Sequence, residues 1–396
     1  MELKLDAAKW RGLRGAAAVL DALGADEGMT RYVGGAVRDE LIGLPVSDVD
    51  LATRIRPDEV IRRLESAQIK AVPTGIEHGT VTAVSDSHPF EITTLRHDVS
   101  TDGRRATVAF TDDWQADAAR RDFTINALFA DARTGEIFDY FGGLADLADR
   151  RVRFIGEPLQ RIAEDHLRIL RFFRFHARFG AGEPDAAGLD ACTARANDLM
   201  ALSRERIADE LLKLLALPAP AATVGIMLQR GILRPVVPEI APERLCDLEA
   251  LITAERSAGV APDPLRRLSA LLARDPALAQ DIAARLKLSR KAQQRLACSA
   301  GEALDNSPEA LAYRVGVDCA TDRLLLAGQA AQAASLQHWR KPLLPIGGGT
   351  LIARGLPEGP IVARTLKAIE DRWIDAGFPS GEPFHAMVDE ALRSAR

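Results

Sequence analysis

The stretch YVGGAVRDELIGLPVSDVDLAT, Tyr32 to Thr53, decides the reading of this chain. With the two residues before it, TRYVGGAV predicts a strand that runs into a glycine turn. RDELIGL predicts a short helix and VDLAT a second strand. Side chains alternate along a strand, so Asp48 and Asp50 share one face while Val49 and Leu51 turn to the core. Two carboxylates held that close repel each other unless a cation sits between them. Mg²⁺ takes hard oxygen ligands, commonly one or two carboxylates together with substrate phosphates. Taken alone, such a pair is more often a solvated turn. Upstream, however, Gly34 and Gly35 let backbone N–H groups approach an anion closely. Arg38 adds a planar fork suited to phosphate oxygens. One short segment thus carries a phosphate cradle, a cation and a dicarboxylate.

Outward from this stretch, RPDEVIRRLESA predicts a helix with Pro57 in its first turn. GTVTAVS and FEITTLR alternate and are rich in β-branched residues, which predicts a hairpin of two strands. The polar segment between Arg96 and Asp122 is read as a flexible loop followed by a helix. Residues 1–149 therefore form an α+β region, a small mixed sheet with helices. Beyond Arg150 the pattern is helical and rich in Ala, Leu and Arg, broken at GAGEPDAAG, LPAPAA, APDP, DNSPEA and LPIGGG. Three helical packets are expected, 150–215, 216–290 and 291–396.

At 396 residues the chain is long enough for more than one domain. It has no run of about 18 apolar residues, so no transmembrane helix is expected. The N-terminal MELKLDAAKWRGLRG scatters its charges and has no apolar signal core, which argues against secretion. Cys192, Cys246, Cys298 and Cys319 form no CxxC pair, so neither a zinc site nor a disulfide framework is expected, and a reducing cytoplasm fits. The formal net charge of −5 argues against broad nonspecific nucleic-acid binding. Yet Arg150, Arg151, Arg153, Arg161, Arg168, Arg171, Arg174 and Arg178 make a local cationic band.

Within that band lies EDHLRILRFFRFHARF. On a helical wheel Ile169, Leu170, Phe173 and Ala177 form an apolar arc, with Glu164, Arg168, Arg171 and Arg178 opposite. Asp165 and Arg168 are i,i+3 neighbours. The ordinary reading is an amphipathic helix with a salt-bridged outer face. Four arginines and no lysine favour a face that reads bases or phosphates.

Four motifs in order now carry a resemblance: GGAVRDELIGLPVSDVDLAT, RRDFTINAL (Arg120 to Leu128), EDHLRILRFFRF and ERIADE (Glu205 to Glu210). Together they resemble the class II nucleotidyltransferases of the polymerase-β-like superfamily. That group contains bacterial CCA-adding tRNA nucleotidyltransferases and poly(A) polymerases. The resemblance covers about residues 30–210 and implies a nucleotidyltransferase head (1–149) followed by helical neck, body and tail. It implies transfer of a nucleotide to an RNA 3′-hydroxyl, aided by two Mg²⁺ ions, with Mn²⁺ as an alternative.

By this resemblance Asp48 and Asp50 are the catalytic metal ligands, with Glu91 in FEITTLR a candidate third carboxylate. Gly35, Arg38 and Arg121 contact phosphates, and Asp122 contacts the sugar. Arg120 is expected to be solvated. Asp165 and Arg168 act as an amino-acid template for the Watson–Crick edges of CTP and ATP. Cytosine N4 and adenine N6 donate to the Asp; cytosine O2 and N3 and adenine N1 accept from the Arg. UTP and GTP would leave polar groups unpaired, which is costly. Arg171 and Arg174 match further nucleotide contacts, and Arg206 and Glu210 match residues that support the nucleotide helix. The tail segment LPIGGGTLIARGLPEGPIVARTLKAIEDRW resembles a tRNA-contacting one. The basic stretch ARLKLSRKAQQRLA is either a second tRNA contact or a solvated face.

Within the family three activities compete: full CCA addition to tRNA, poly(A) synthesis, and partial CC or A addition. The Arg96–Phe110 segment has the look of an intact flexible loop, which family CC-adders shorten, and poly(A) polymerases of this class often carry basic extensions. The expectation is therefore CCA addition in the cytoplasm, with the tRNA 3′ acceptor end, CTP and ATP as partners. A catalytically inactive RNA-binding module is the non-enzyme alternative. Retention of Asp48, Asp50, Arg38, Asp122, Asp165 and Arg168 argues against it.

Overall fold

The computed structural model describes residues 4–395 apart from 7, 8, 11, 47, 103 and 104, and only the backbone of 98–102 and 105–108. The chain forms two compact units, Met1–Leu202 with Arg230–Pro235, and Ser203–Gln229 with Val236–Arg396.

The first unit holds nine described strands: β1 (Thr30–Val33), β2 (Asp50–Thr53), β3 (Lys70–Gly75), β4 (Thr80–Ser85), β5 (His88–Thr94), β6 (Arg96–Asp102), β7 (Arg105–Phe110), β8 (Leu128–Asp131) and β9 (Ile137–Asp139). Seven of them form one sheet in the order β3-β4-β5-β2-β1-β8-β9. β2 and β5 run parallel, with Asp50 beside Glu91. The other pairs are antiparallel, including the expected β4–β5 hairpin, where Val81 faces Ile92. At the centre Thr30 and Thr53 are register partners. Both are buried, and the Thr30 hydroxyl donates to that of Thr53 at 2.9 Å, so burial leaves neither hydroxyl unsatisfied. On one side of the sheet Val33, Ala52, Leu95, Trp114, Ala118, Ala127, Phe129 and Ile155 form an apolar cluster.

Two local expectations change. The segment read as a loop after Arg96 is a separate two-stranded sheet of β6 and β7. Its β-branched residues suit paired strands better than open loop. The arginine-rich stretch is two helices, Pro158–Glu164 and Arg168–Phe179. Between them Asp165 is extended (φ −152°, ψ 106°), and its Oδ1 accepts the Leu167 N–H at 3.1 Å. A short polar side chain that bonds a nearby backbone N–H competes with helix continuation. Ile169, Leu170 and Phe173 are buried as the wheel requires, but so are Phe172, Phe175 and Phe179. Phe172 stacks on Phe154 with ring centroids 5.4 Å apart. The apolar side is therefore wider than the arc, and Ala177 is only half-buried.

The second unit is helical throughout its described elements. Its interior carries an ionic network: Arg266 bridges Glu255 (2.7 Å) and Asp322 (2.8 Å), and Arg267 pairs with Glu255 at 2.8 Å. The basic stretch Ala284–Ala297 is divided between the Pro276–Arg285 and Arg290–Ser299 helices. Its Arg295 turns to Asp322 and Asp263, 2.8 Å from each. A disulfide joins Cys298 to Cys319, against expectation. Spacing gave no sign of it because the Arg290–Ser299 and Val317–Leu326 helices meet only in the folded unit. The cysteines therefore supply no argument for a reducing compartment.

Candidate active site

The site is built where β1 and β2 hand over to their loops. After β1 the chain turns at Gly34, whose φ of 69° suits glycine. A Cβ there would lie 3.3 Å from Arg121 Nη1, so the glycine also makes room for that guanidinium. The Gly35–Leu41 helix starts at once and carries Arg38. Gly35 is half-buried, and a Cβ on it would lie 3.6 Å from Arg38 Nη2. Asp48 is exposed just before β2, Val49 is buried, Asp50 half-buried and Leu51 buried. The two carboxylates thus share the face that alternation assigned them.

Burial, then the charges of Glu91 and Asp48, push the Asp50 carboxyl up to about 6, against the pull of Arg121. A crowded, partly desolvated carboxylate next to two others is a place where a hard divalent cation relieves repulsion. Among the described residues no three His, Cys, Asp or Glu side chains converge as a ready ligand cage, and Glu91 is exposed. The donor set therefore fits a divalent ion held by Asp48 and Asp50, with remaining positions left to substrate oxygens and water. Glu91 acts on Asp50 by charge.

A pH dependence follows. In the unfolded chain an Asp titrates near 4, so between about 4 and 6 the folded state binds the extra proton. Stability then falls as pH rises through that window, and the cost of the ionised group is complete above it. Asp50→Asn is expected to raise Tm by a few degrees at pH 7.5 and to leave it unchanged near pH 3.5. Added Mg²⁺ should raise the wild-type Tm at pH 7.5 and the variant's less. Thermal melts at the two pH values check this; an Asn variant less stable at pH 7.5 would refute the repulsion.

The arginines assemble from distant stretches. Arg38 is buried. Its Nη1 donates to Asn126 Oδ1, and its guanidinium lies 4.0 Å from the centre of the Phe179 ring. Asn126 Nδ2 donates to Asp122 Oδ1 at 2.9 Å. Asp122 Oδ2 accepts from Arg171 Nε (2.8 Å) and Nη2 (2.5 Å). Burial would raise the Asp122 carboxyl; Arg171, Asn126 and the Phe123 N–H instead hold it below its ordinary range. Residues from three motifs thereby share one hydrogen-bonded chain. The Asp122 carboxylate, expected to meet ribose, is engaged by Arg171 and Asn126 here.

Arg121 pairs with Asp117 at 3.0 Å. Arg120, expected to be solvated, pairs with the same Asp117 at 2.8 Å and is largely covered. Asp117 is itself buried. Arg168 pairs with Glu164 at 2.5 Å and donates to the carbonyls of Arg161 (2.8 Å) and Arg120 (3.2 Å). Arg161 is buried and donates to the carbonyls of Arg120 (2.5 Å) and Arg121 (2.6 Å). Of the two base-reading candidates, Arg168 is thus tied to the RRD segment, directly through the Arg120 carbonyl and through its bond to the Arg161 carbonyl. Arg174 lies 4.7 Å from the centre of the Phe175 ring. Asp39, Asp117 and Asn126 carry no assignment from sequence, and Arg161 enters there only as one of the cationic band. Their signal is adjacency to motif arginines, which sequence alone does not distinguish from chance. Arg206 and Glu210 lie on the Arg204–Leu215 helix of the second unit, and Glu210 is buried.

The family model described as the poly A polymerase head domain matches residues 30–153. One described as a probable RNA and SrmB-binding site of polymerase A matches residues 185–244. The mitochondrial CCA tRNA nucleotidyltransferase 1 of Mus musculus is 35% identical over 88% of this chain and 83% of its own length. The CCA-adding enzyme of Streptococcus gordonii is 34% identical over 91% of this chain and 92% of its own. In structure, the Bacillus stearothermophilus CCA-adding enzyme, solved in complex with CTP, superposes with a TM-score of 0.71 at 25% identity, covering 96% of this chain and 97% of that one. On identity above 30% over most of both chains, and on common fold, the chain belongs to the CCA-adding tRNA nucleotidyltransferase family.

Proposed function

We propose that this protein adds cytidine, cytidine and adenosine in turn to the 3′ end of tRNA, from CTP and ATP and without a nucleic-acid template. The observation that carries the reading is the hydrogen-bonded chain from Arg38 through Asn126 and Asp122 to Arg171. It joins the helix that carries Arg38 to the arginine-rich helix, with Arg121 close enough to act on Asp50.

In this reading Asp48 and Asp50 hold Mg²⁺, two ions when the site is full, with Mn²⁺ as a substitute. Bound there, the metal supplies a Lewis acid that activates the attacking oxygen and neutralises the leaving pyrophosphate. Gly35, Arg38 and Arg121 receive the triphosphate, and the buried surroundings of Arg38 strengthen its attraction for an anion. Asp122 orients the ribose, exchanging part of its bond to Arg171 for a sugar hydroxyl. Asp165 accepts from the exocyclic amine of cytosine or adenine, and Arg168 donates to the adjacent ring acceptors. Arg171 and Arg174 complete the nucleotide contacts. The tRNA body falls to the helical tail, residues 291–396. A cytoplasmic site of action belongs to the same proposal; no described helix is long and apolar enough to cross a membrane.

The test is the product. With Mg²⁺, CTP, ATP and a tRNA lacking its 3′ CCA, the expected product gains two cytidines and one adenosine and then stops. A long adenosine tract sinks the reading in favour of poly(A) synthesis, the activity named by the head-domain match. Addition of CC or A alone would reassign the chain to partial activity. No incorporation at all would leave an RNA-binding module.

A further inference from the structure

Asp39 follows the triphosphate-side arginine in sequence, and motif reading gave it no task. In the fold it is buried, at 9% exposure. Its Oδ1 accepts Arg38 Nε at 2.7 Å and lies 2.7 Å from Arg38 Nη2. Its Oδ2 lies 3.3 Å from Nη2 of Arg178. Arg178 stands on the Arg168–Phe179 helix two turns beyond Arg171. The links therefore leave that helix at Arg171, pass through Asp122, Asn126 and Arg38, and return to it through Asp39 and Arg178. Both arginines lie against Phe179, whose ring centre is 4.0 Å from the Arg38 guanidinium and 5.0 Å from that of Arg178.

Two guanidiniums beside one ring repel each other, and a buried one costs more to keep charged than an exposed one. Burial and the Arg178 charge both work against the Arg38 guanidinium, while Asp39 opposes them. Asn126 is neutral and holds only Nη1, so Asp39 supplies the larger compensating charge, with a smaller one from Asp122, and the acceptor that fixes the Nε edge. Without it the long side chain has other staggered rotamers within reach.

We propose that Asp39 is a positioning residue. By holding Arg38 and Arg178 on its two carboxylate oxygens, it keeps the guanidinium that receives the triphosphate in register with the helix that reads the base. This rests on the proposed role of Arg38, and the experiment separates the two.

Steady-state kinetics on the full chain, with CCA-less tRNA and varied CTP or ATP, provide the test, with Tm recorded for each variant. Asp39→Asn is expected to raise KM for both nucleotides on the order of tenfold while leaving KM for tRNA unchanged. Arg178→Ala, at an exposed position, should shift nucleotide KM in the same direction by less, and Arg178→Lys should restore it. The Asp39→Asn/Arg178→Ala double variant should be no worse than Asp39→Asn alone, because both remove one link. An unchanged nucleotide KM in Asp39→Asn, or nucleotide and tRNA KM rising together with a fall in Tm, overturns the proposal. Strict additivity overturns it as well. Arg38→Ala is the control: if it leaves nucleotide KM unchanged, the triphosphate role of Arg38 fails, and the role of Asp39 with it.

Discussion

Asp48→Ala or Asp50→Ala is expected to lower nucleotide incorporation by on the order of a thousandfold or more, while tRNA binding stays within about twofold. A thousandfold corresponds to about 4 kcal/mol of transition-state stabilisation, the size expected when preorganised charge is removed from a developing phosphorane. Structure argues that the loss would be chemical rather than architectural. Asp48 is exposed, so its truncation removes no packing, and Tm should hardly move. Asp50 sits in β2 between β1 and β5, but the strand is anchored by Leu51, Ala52 and Thr53, all buried. Removing the Asp50 carboxylate relieves repulsion with Glu91 and Asp48. An inactive Asp50→Ala protein that is as stable as wild type, or more so, identifies a group retained at a cost to the fold. Single-turnover extension of a truncated tRNA, with filter binding of the same tRNA, measures both quantities. Activity within tenfold of wild type in either variant would refute the metal assignment.

Asp165→Ala is expected to relax base choice, lowering the ratio of CTP to UTP incorporation by about 10- to 100-fold. Discrimination of this kind comes from polar groups left unpaired by the wrong base. Asp165 is suited to it because its position is set locally. The backbone is extended between two helices, and one carboxylate oxygen is steered by the Leu167 N–H. Arg168 is held by Glu164 and two carbonyls, so it presents its remaining edge without searching rotamers. Asp165→Asn sharpens the test. It keeps an acceptor for Leu167 but adds an amide donor that can meet uracil O4, so UTP use should rise further than in Asp165→Ala. Competition between CTP and UTP on one tRNA, read by sequencing the products, gives the ratio. If both variants lose CTP and UTP incorporation equally, Asp165 shapes the helix junction and does not read bases.

The local geometry of the candidate site could be read in the chain because it depends on neighbouring residues. Strand alternation put Asp48 and Asp50 on one face, and the exposed–buried–half-buried–buried run from Asp48 to Leu51 follows it. The glycine turn into a short helix also needed only neighbouring residues. Where reading failed, competing local forces or distant partners were the cause. The Arg96–Phe110 segment is polar enough to read as a loop, yet its alternation pairs β6 with β7. A wheel drawn through Asp165 assumes a continuous helix, whereas the side chain bonds the Leu167 N–H and the helix breaks there.

The sequence by itself thus determined the fold class, the carboxylate pair of the candidate site and the arginine-rich stretch after residue 150. Periodicity, glycine conformational freedom and carboxylate repulsion act over a few residues. Only the tertiary structure decided what each charge answers to. Arg38 meets Asn126 from 88 residues away, Arg171 meets Asp122 from 49, and the parallel register sets Asp50 beside Glu91. Cys298 and Cys319 meet across 21 residues in the same way. Hydrogen bonds and buried ion pairs depend on ångström-scale distances and on desolvation, and neither exists until the elements have packed.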